Sequence, residues 1–158
     1  MRYQRIFTSI WQDEKFLQLS DDGRFLFIYI LTAPHSNSLG LYVLPKAYIL
    51  GDLGWDRERL DKPFAELLDE ELVDYDESPR LILVKNHLRH NPIENENQAK
   101  ANAKIVSMMP KSHLYAYVIS KLDQFNKPFY EPLLKLLKER LPKRLPEPAP
   151  VRLPNQKK

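Results

Sequence analysis

Residues 25 to 31 are apolar without interruption, and a helix that is apolar on every side is a buried one. Ser20 precedes it as an N-cap, with Asp21 and Asp22 in the first turn. The serine oxygen accepts an orphan backbone N–H, and the aspartates suit the positive helix end. This helix ends by Pro34, and His35-Ser36-Asn37-Ser38 reads as a polar turn. Leu39 to Leu44 reads as a short strand with Gly40 inside it. Pro45 suits the first position of a helix from Lys46 to Leu53, where no N–H is needed, and Gly54 is its expected C-cap. Asp56 caps a third helix, in which Leu60, Phe64, Leu67, Leu68 and Leu72 share one face. Pro63 lies past its first turn and removes a backbone donor, so the pattern predicts a bend there or a helix that starts near Pro63.

Val73 to Asp76 and Leu81 to Val84 alternate as a hairpin around Glu77-Ser78-Pro79-Arg80. Helix, short strand, helix, helix and hairpin, in that order, outline a winged helix. The expected fold class is α+β, mostly α: a winged helix-turn-helix with a β-hairpin wing, then C-terminal helices and a Pro-rich basic tail. The periodicity places Phe25, Ile28, Leu31, Ile49, Leu53, Phe64, Leu67 and Leu83 in one core. Upstream, Ile6, Ile10 and Trp11 suggest a short extended piece and a helical turn near Asp13 that pin the N-terminus to the core.

Beyond the hairpin, Asn95 and Gln98 resemble a capping box for a helix of about Glu96 to Met108, stopped by Pro110. Ser112 is expected to cap the next helix, with Leu114, Val118 and Leu122 on one face. Pro132 opens a last short helix carrying Leu133, Leu134, Leu136, Leu137 and Leu141. These leucines either clip onto the domain's own core or form a partner helix, and the flanking prolines favour dimerisation or partner binding. From Pro142 onward, five prolines and five basic residues in 17 positions cannot build a core, and disorder is expected. The expected organisation is a winged-helix domain over 1–90, a helical extension over 91–141 and the tail over 142–158.

Composition narrows the function classes. With 43% hydrophobic and 28% charged residues the chain suits a soluble globular protein. No run of about 18 apolar residues is present, so no membrane span is expected. The basic start is not expected to act as a signal peptide. The absence of cysteine excludes disulfides and thiolate metal sites and fits a cytoplasmic protein. Net charge is +3, but residues 1–93 hold 11 Lys/Arg and 15 Asp/Glu, a balance of −4, whereas the remainder holds 13 and 6, a balance of +7. A polyanion is therefore attracted first to the second half.

Ile10-Trp11, Leu19-Ser20, the Phe25–Tyr29 helix, Leu31-Thr32-Ala33-Pro34-His35-Ser36-Asn37, Gly40-Leu41, Leu44-Pro45, Tyr48-Ile49, Asp52-Leu53-Gly54-Trp55 and Asn91-Pro92-Ile93-Glu94-Asn95 carry a family likeness. The chain resembles the winged-helix replisome-organiser proteins of phages and prophages, relatives of the N-terminal domain of the DnaD primosomal protein. The likeness covers residues 3–110, and Pro-His-Ser-Asn and Asn-Pro-Ile-Glu-Asn are its most specific parts. It implies DNA binding at a replication origin and recruitment of replicative helicase or primosome components. At Glu71 glycine is usual in such folds.

The candidate DNA-binding residues come from the winged-helix outline. Arg57, Arg59 and Lys62 begin the third helix, which in this architecture enters the major groove. There arginine pairs with guanine or holds phosphate. Asp56, Glu58 and Asp61 alternate with them, so a solvated charged face is the competing reading. Arg80 sits at the wing tip. Lys85, His87, Arg89 and His90 cluster after the last strand. They read as a phosphate-facing end or as neutral surface histidines, and not as a metal site, which wants about four ligands. Asn91, Asn95, Asn97, Gln98 and Asn102 read better as turn and cap residues than as base readers. Lys100 and Lys104, one helical turn apart, are better phosphate contacts. Lys111, Lys138, Arg140, Lys143, Arg144, Arg152, Lys157 and Lys158 extend the basic half.

No Gly-rich phosphate loop and no nucleophile constellation points to an enzyme, and no cofactor is expected. The leading expectation is a non-enzymatic protein that binds double-stranded DNA in a phage or prophage replication-initiation module. The alternatives are a protein–protein adaptor or oligomerisation module, with homo-oligomers among its forms, and a transcriptional repressor.

Overall fold

The computed structural model describes residues 1–143; the expected tail, with Arg144, Arg152, Lys157 and Lys158, lies outside the described residues apart from its first two positions. The fold is α+β and mostly helical. A 3₁₀ turn over Thr8–Gln12 leads into α1 (Glu14–Leu17), α2 (Asp21–Thr32), β1 (Leu41–Val43), α3 (Lys46–Leu53) and α4 (Arg57–Asp69). Next come β2 (Val73–Asp76), β3 (Leu81–Val84), α5 (His87–His90), α6 (Glu96–Ser107), α7 (Tyr115–Phe125), a 3₁₀ turn over Pro128–Tyr130, and α8 (Glu131–Glu139). This order is compatible with a winged helix. No helix among the described residues is long and apolar enough to cross a membrane.

Local signals set several helix ends. The Ser20 hydroxyl accepts from Gly23 N at 3.1 Å, the Asp56 carboxylate from Arg59 N at 2.9 Å and the Asn95 amide oxygen from Gln98 N at 2.9 Å. Gln98 reaches back to Glu94 N at 2.8 Å, one residue before the cap. Gly54 closes α3 as expected, and Glu71 stands in the left-handed region at φ 55° where glycine is cheaper.

The sheet is antiparallel with order β1-β3-β2. The period of two along β3 divides the molecule. Ile82 and Val84 face one core with Tyr42, Val73 and the buried sides of α2, α3 and α4. Leu81 and Leu83 face a second core with Leu41, Leu88, Tyr115, Tyr130 and α6 to α8. Every residue of β3 is buried, as expected of a strand covered on both faces.

Several expectations are corrected. Leu83 belongs to the second core, because it is out of phase with Ile82 on the strand. Ile49, Phe64 and Leu67 are in the first core, with Ile28, Leu31 and Leu53 half-buried against it. Phe25 is 54% exposed and lies against Trp55 with ring centroids 6.0 Å apart, so α2 is buried on one side only. The β1 strand is shorter than the apolar run, because Leu39 and Gly40 are held in a turn by Asn37. Its Oδ1 accepts from both backbone N–H groups, and its Nδ2 donates to Leu41 O at 2.8 Å. α4 starts at Arg57 and runs through Pro63, which is buried. Burial of that ring offsets the donor missing opposite the Arg59 carbonyl. Ser112 is not the N-cap of α7: its Oγ accepts from Leu114 N at 3.1 Å and donates to Asp76 at 2.6 Å. The leucines of α8 clip onto the molecule's own second core, with Leu133 and Leu137 fully buried against α6 and α7.

Two glycines are required by close approach. Gly40, at φ 71°, leaves room for His87, whose Cβ and Cγ would lie 2.4 Å from an added Cβ. Gly23 occupies the third helical position of α2, where a capping box would place a glutamate. Glu66 of α4 fills that role instead, accepting from Ser20 N at 2.9 Å and Ser20 Oγ at 2.6 Å. An added Cβ on Gly23 would meet Glu66 Oε2 at 2.8 Å. The capping box is thus completed across the tertiary contact between α2 and α4.

Candidate nucleic-acid interface

The candidate residues fall into three groups by element. The first is α4 with the β2–β3 turn. Arg57 and Lys62 are exposed on α4, and Arg80 is exposed at the turn, held at φ 56°. Arg59 is committed elsewhere. Its Nε and Nη2 donate to the two oxygens of Asp22 at 3.0 and 3.1 Å, and its guanidinium stacks 4.6 Å from the Trp55 ring centroid. The hydrogen bond from Arg59 holds the Asp22 carboxyl below its ordinary value. Lys46 is also engaged, pairing with Glu77 at 2.9 Å and lying 4.8 Å from the Phe64 ring centroid. Asp56, Glu58, Asp61 and Asp69 are exposed on the same helix and cap. The net field here is unfavourable to phosphate.

The second group lies just past β3. Lys85 is half-buried and Arg89 exposed, and both line a cavity between the end of β3, α5 and α7. His87 is half-buried. Its ring is folded under Gly40, and since Ser38 O only accepts, Nε2 carries the proton in their 3.0 Å contact. Burial pushes its pKa below the ordinary histidine value; the hydrogen bond to Ser38 O opposes that push, and His90 adds a smaller one downward. His90 lies against Phe7 at 5.5 Å between ring centroids.

The third group runs from α6 to the end of α8. Lys100 pairs with Glu96 at 3.3 Å, one turn away, while Lys104, Lys111, Lys138 and Lys143 are exposed. Arg140 is structural: its guanidinium donates to Met109 O at 3.1 Å and Ser107 O at 2.5 Å, closing the end of α6. The amides of Asn91, Asn95, Gln98 and Asn102 serve the fold. Asn102 is buried, accepting from Ser38 Oγ at 2.8 Å and donating to Gln98 O at 2.9 Å. Lys121 of α7 was missed by sequence reasoning; the one available signal is Tyr117 four residues before it, which sets both on one helix face.

No family model, no curated protein and no solved structure matches the chain. What the site can do chemically is therefore read from its own residues.

Proposed function

We propose that the chain is a non-enzymatic protein that binds double-stranded DNA in a phage or prophage replication-initiation module. In this reading α3, the short turn at residues 54–56 and α4 form a helix-turn-helix, and the β2–β3 hairpin is the wing. The observation that carries it is the charge setting of the cations: Arg57, Lys62 and Arg80 are exposed with no ion pair among the described residues but stand with Asp56, Glu58, Asp61 and Asp69 in a segment of net −4, whereas residues 94–158 carry a balance of +7. On the α4 side Arg59 and Lys46 are spent on Asp22 and Glu77. Beyond β3, Arg89, Lys104 and Lys111 point to solvent with no ion pair among the described residues. Phosphate contacts are accordingly assigned mainly to Lys85, Arg89, Lys100 and Lys104, with Arg57, Lys62 and Arg80 orienting the duplex. The replication setting and helicase or primosome partners rest on the family likeness of residues 3–110.

The rival reading is a protein adaptor, favoured by the exposed carboxylates of Asp52, Asp56, Glu58 and Asp61 beside the exposed Tyr48 and Leu68. Fluorescence anisotropy of a duplex across salt concentrations separates the two. DNA binding predicts a log–log slope of about −0.9 per neutralised phosphate. Absence of duplex binding at low salt favours the adaptor.

A further inference from the structure

The cavity between the end of β3, α5 and α7 has a volume of about 280 Å³. Lys85, Arg89 and Lys121 all line it, and no carboxylate does. The ammonium groups of Lys85 and Lys121 converge on one ring, lying 5.9 and 5.3 Å from the Tyr117 centroid. That ring is fixed, because the Tyr117 hydroxyl donates to Lys85 O at 2.7 Å. None of the three cations forms an ion pair among the described residues. Burial first, and then the Glu71 carboxylate outside the cavity, hold the Tyr117 phenol above its ordinary value, so it remains a donor.

Three like charges line the cavity with no carboxylate in its walls, and an anion that enters relieves their mutual repulsion. The remaining lining defines the rest of the ligand. Leu39, Leu83 and Val118 supply a buried apolar wall, Phe125 presents a ring 36% exposed, and Gln124 and Asn86 offer amides. The volume lies near the lower edge of the roughly 300–1,000 Å³ typical of small-ligand sites. It suits one nucleotide unit, with the exposed Arg89 also open to a duplex backbone outside the cavity.

We propose that this cavity binds a single unpaired nucleotide, its phosphate between Lys85, Arg89 and Lys121 and its base against Phe125. The same chemistry comes from a free nucleotide or from one unit of a single strand, where aromatic stacking supplies sequence-tolerant affinity. The site goes beyond duplex binding, although Lys85 and Arg89 serve both.

Amide shifts of the ¹⁵N-labelled full chain test it, with deoxyadenosine monophosphate, a 12-mer oligothymidylate and a 12-bp duplex as probes. The nucleotide or the 12-mer shifts Arg89, Lys121 and Gln124. A 12-mer bound at least tenfold tighter than the mononucleotide identifies a strand as the source; equal affinities identify the free nucleotide. Lys121→Glu and, separately, Phe125→Ala each weaken the bound probe at least tenfold, whereas Lys135→Glu on α8 does not. Both positions are partly exposed, and an otherwise unchanged amide spectrum verifies the fold of each variant. Neither probe shifting these amides, or both variants binding as the parent does, overturns the proposal. Duplex affinity measured on the same samples separates this outcome from the duplex reading, since either can fail while the other holds.

Discussion

The two faces of the sheet spend their charged side chains differently. On the α2–α4 side they close the fold: Glu66 completes the cap of Ser20, Arg59 clamps Asp22, Lys46 meets Glu77, and Asp52 accepts from Tyr29 at 2.6 Å. On the α6–α8 side closure relies mostly on hydroxyls and amides, such as Ser112 on Asp76 and Asn102 on Ser38. Arg140 is the exception. Lys104, Lys111 and Lys138 there are exposed with no ion pair among the described residues. A long-range field depends on uncommitted charge, so the half whose outline suggests DNA binding is the less equipped to attract DNA. The half that looks like an appendage is the better equipped.

The comparison breaks first if the two cores are separable. Leu137→Ala should cost about 2–5 kcal/mol, the usual range for a fully buried leucine. Because β3 belongs to both cores, urea unfolding should remain a single transition, whether followed by the fluorescence of Trp11 and Trp55, which lie against the first core, or by α6–α8 amide signals. Two transitions would show the halves to be independent.

Gly40→Ala attacks the seam itself. The new Cβ would meet His87 Cβ and Cγ at 2.4 Å, and left-handed backbone adds strain, together about 2–4 kcal/mol. Gly51→Ala is the matched comparison, since its Cβ meets nothing, and it should raise stability by about 0.5–1 kcal/mol. Equal urea midpoints for the two variants would contradict the packing of His87 under Gly40.

Glu66→Ala sharpens the claim about closure by charge. It leaves Ser20 N and Oγ without their acceptor, a loss of about 1–3 kcal/mol. Glu66→Gln should recover part of it, and thermal midpoints rank the three chains. No difference between Ala and the parent would remove the cross-helix capping box.

The smallest stability effect is pH-linked. The folded pKa of His87 is depressed, so its contribution is present above the ordinary histidine value near 6.5 and is lost as pH falls through the folded value. Urea midpoints of the parent should drop more steeply than those of His87→Gln from pH 7 toward acid. An NMR titration placing the His87 imidazole above 6.5 would reverse the sign.

Much of the α2–β3 outline was legible because its signals act within a few residues. Ser20, Asp56 and Asn95 each satisfy an N–H three residues on, and the alternation of the hairpin sits beside its own turn. The apolar run of α2 did not show that Phe25 faces outward, because a helix apolar all round carries no phase. Leu83 was misplaced because helices cover both faces of β3, and a strand buried on both sides gives no sign of which core each residue joins. Glu66 acts on Ser20 from 46 residues away, and no local pattern announces that. α8 has a clear apolar face, but periodicity does not say which surface covers it. The basic candidates could be found as residue types, whereas the commitment of Arg59 to Asp22 and Arg140 to carbonyls could not.

The slope of log affinity against log salt for a duplex tests the central claim most directly. The chain is compared with two double variants, Lys100→Ala with Lys104→Ala and Arg57→Ala with Arg59→Ala, and with a chain ending at residue 142. The first pair should flatten the slope by about 0.9 from the free Lys104, rising to about 1.8 if phosphate displaces Glu96 from Lys100, and truncation, which removes five basic residues, should flatten it further. Arg57→Ala with Arg59→Ala should flatten it by less than about 1, because only Arg57 is free. A slope that survives truncation and the lysine pair but collapses with Arg57 and Arg59 would contradict the account and return DNA binding to α4.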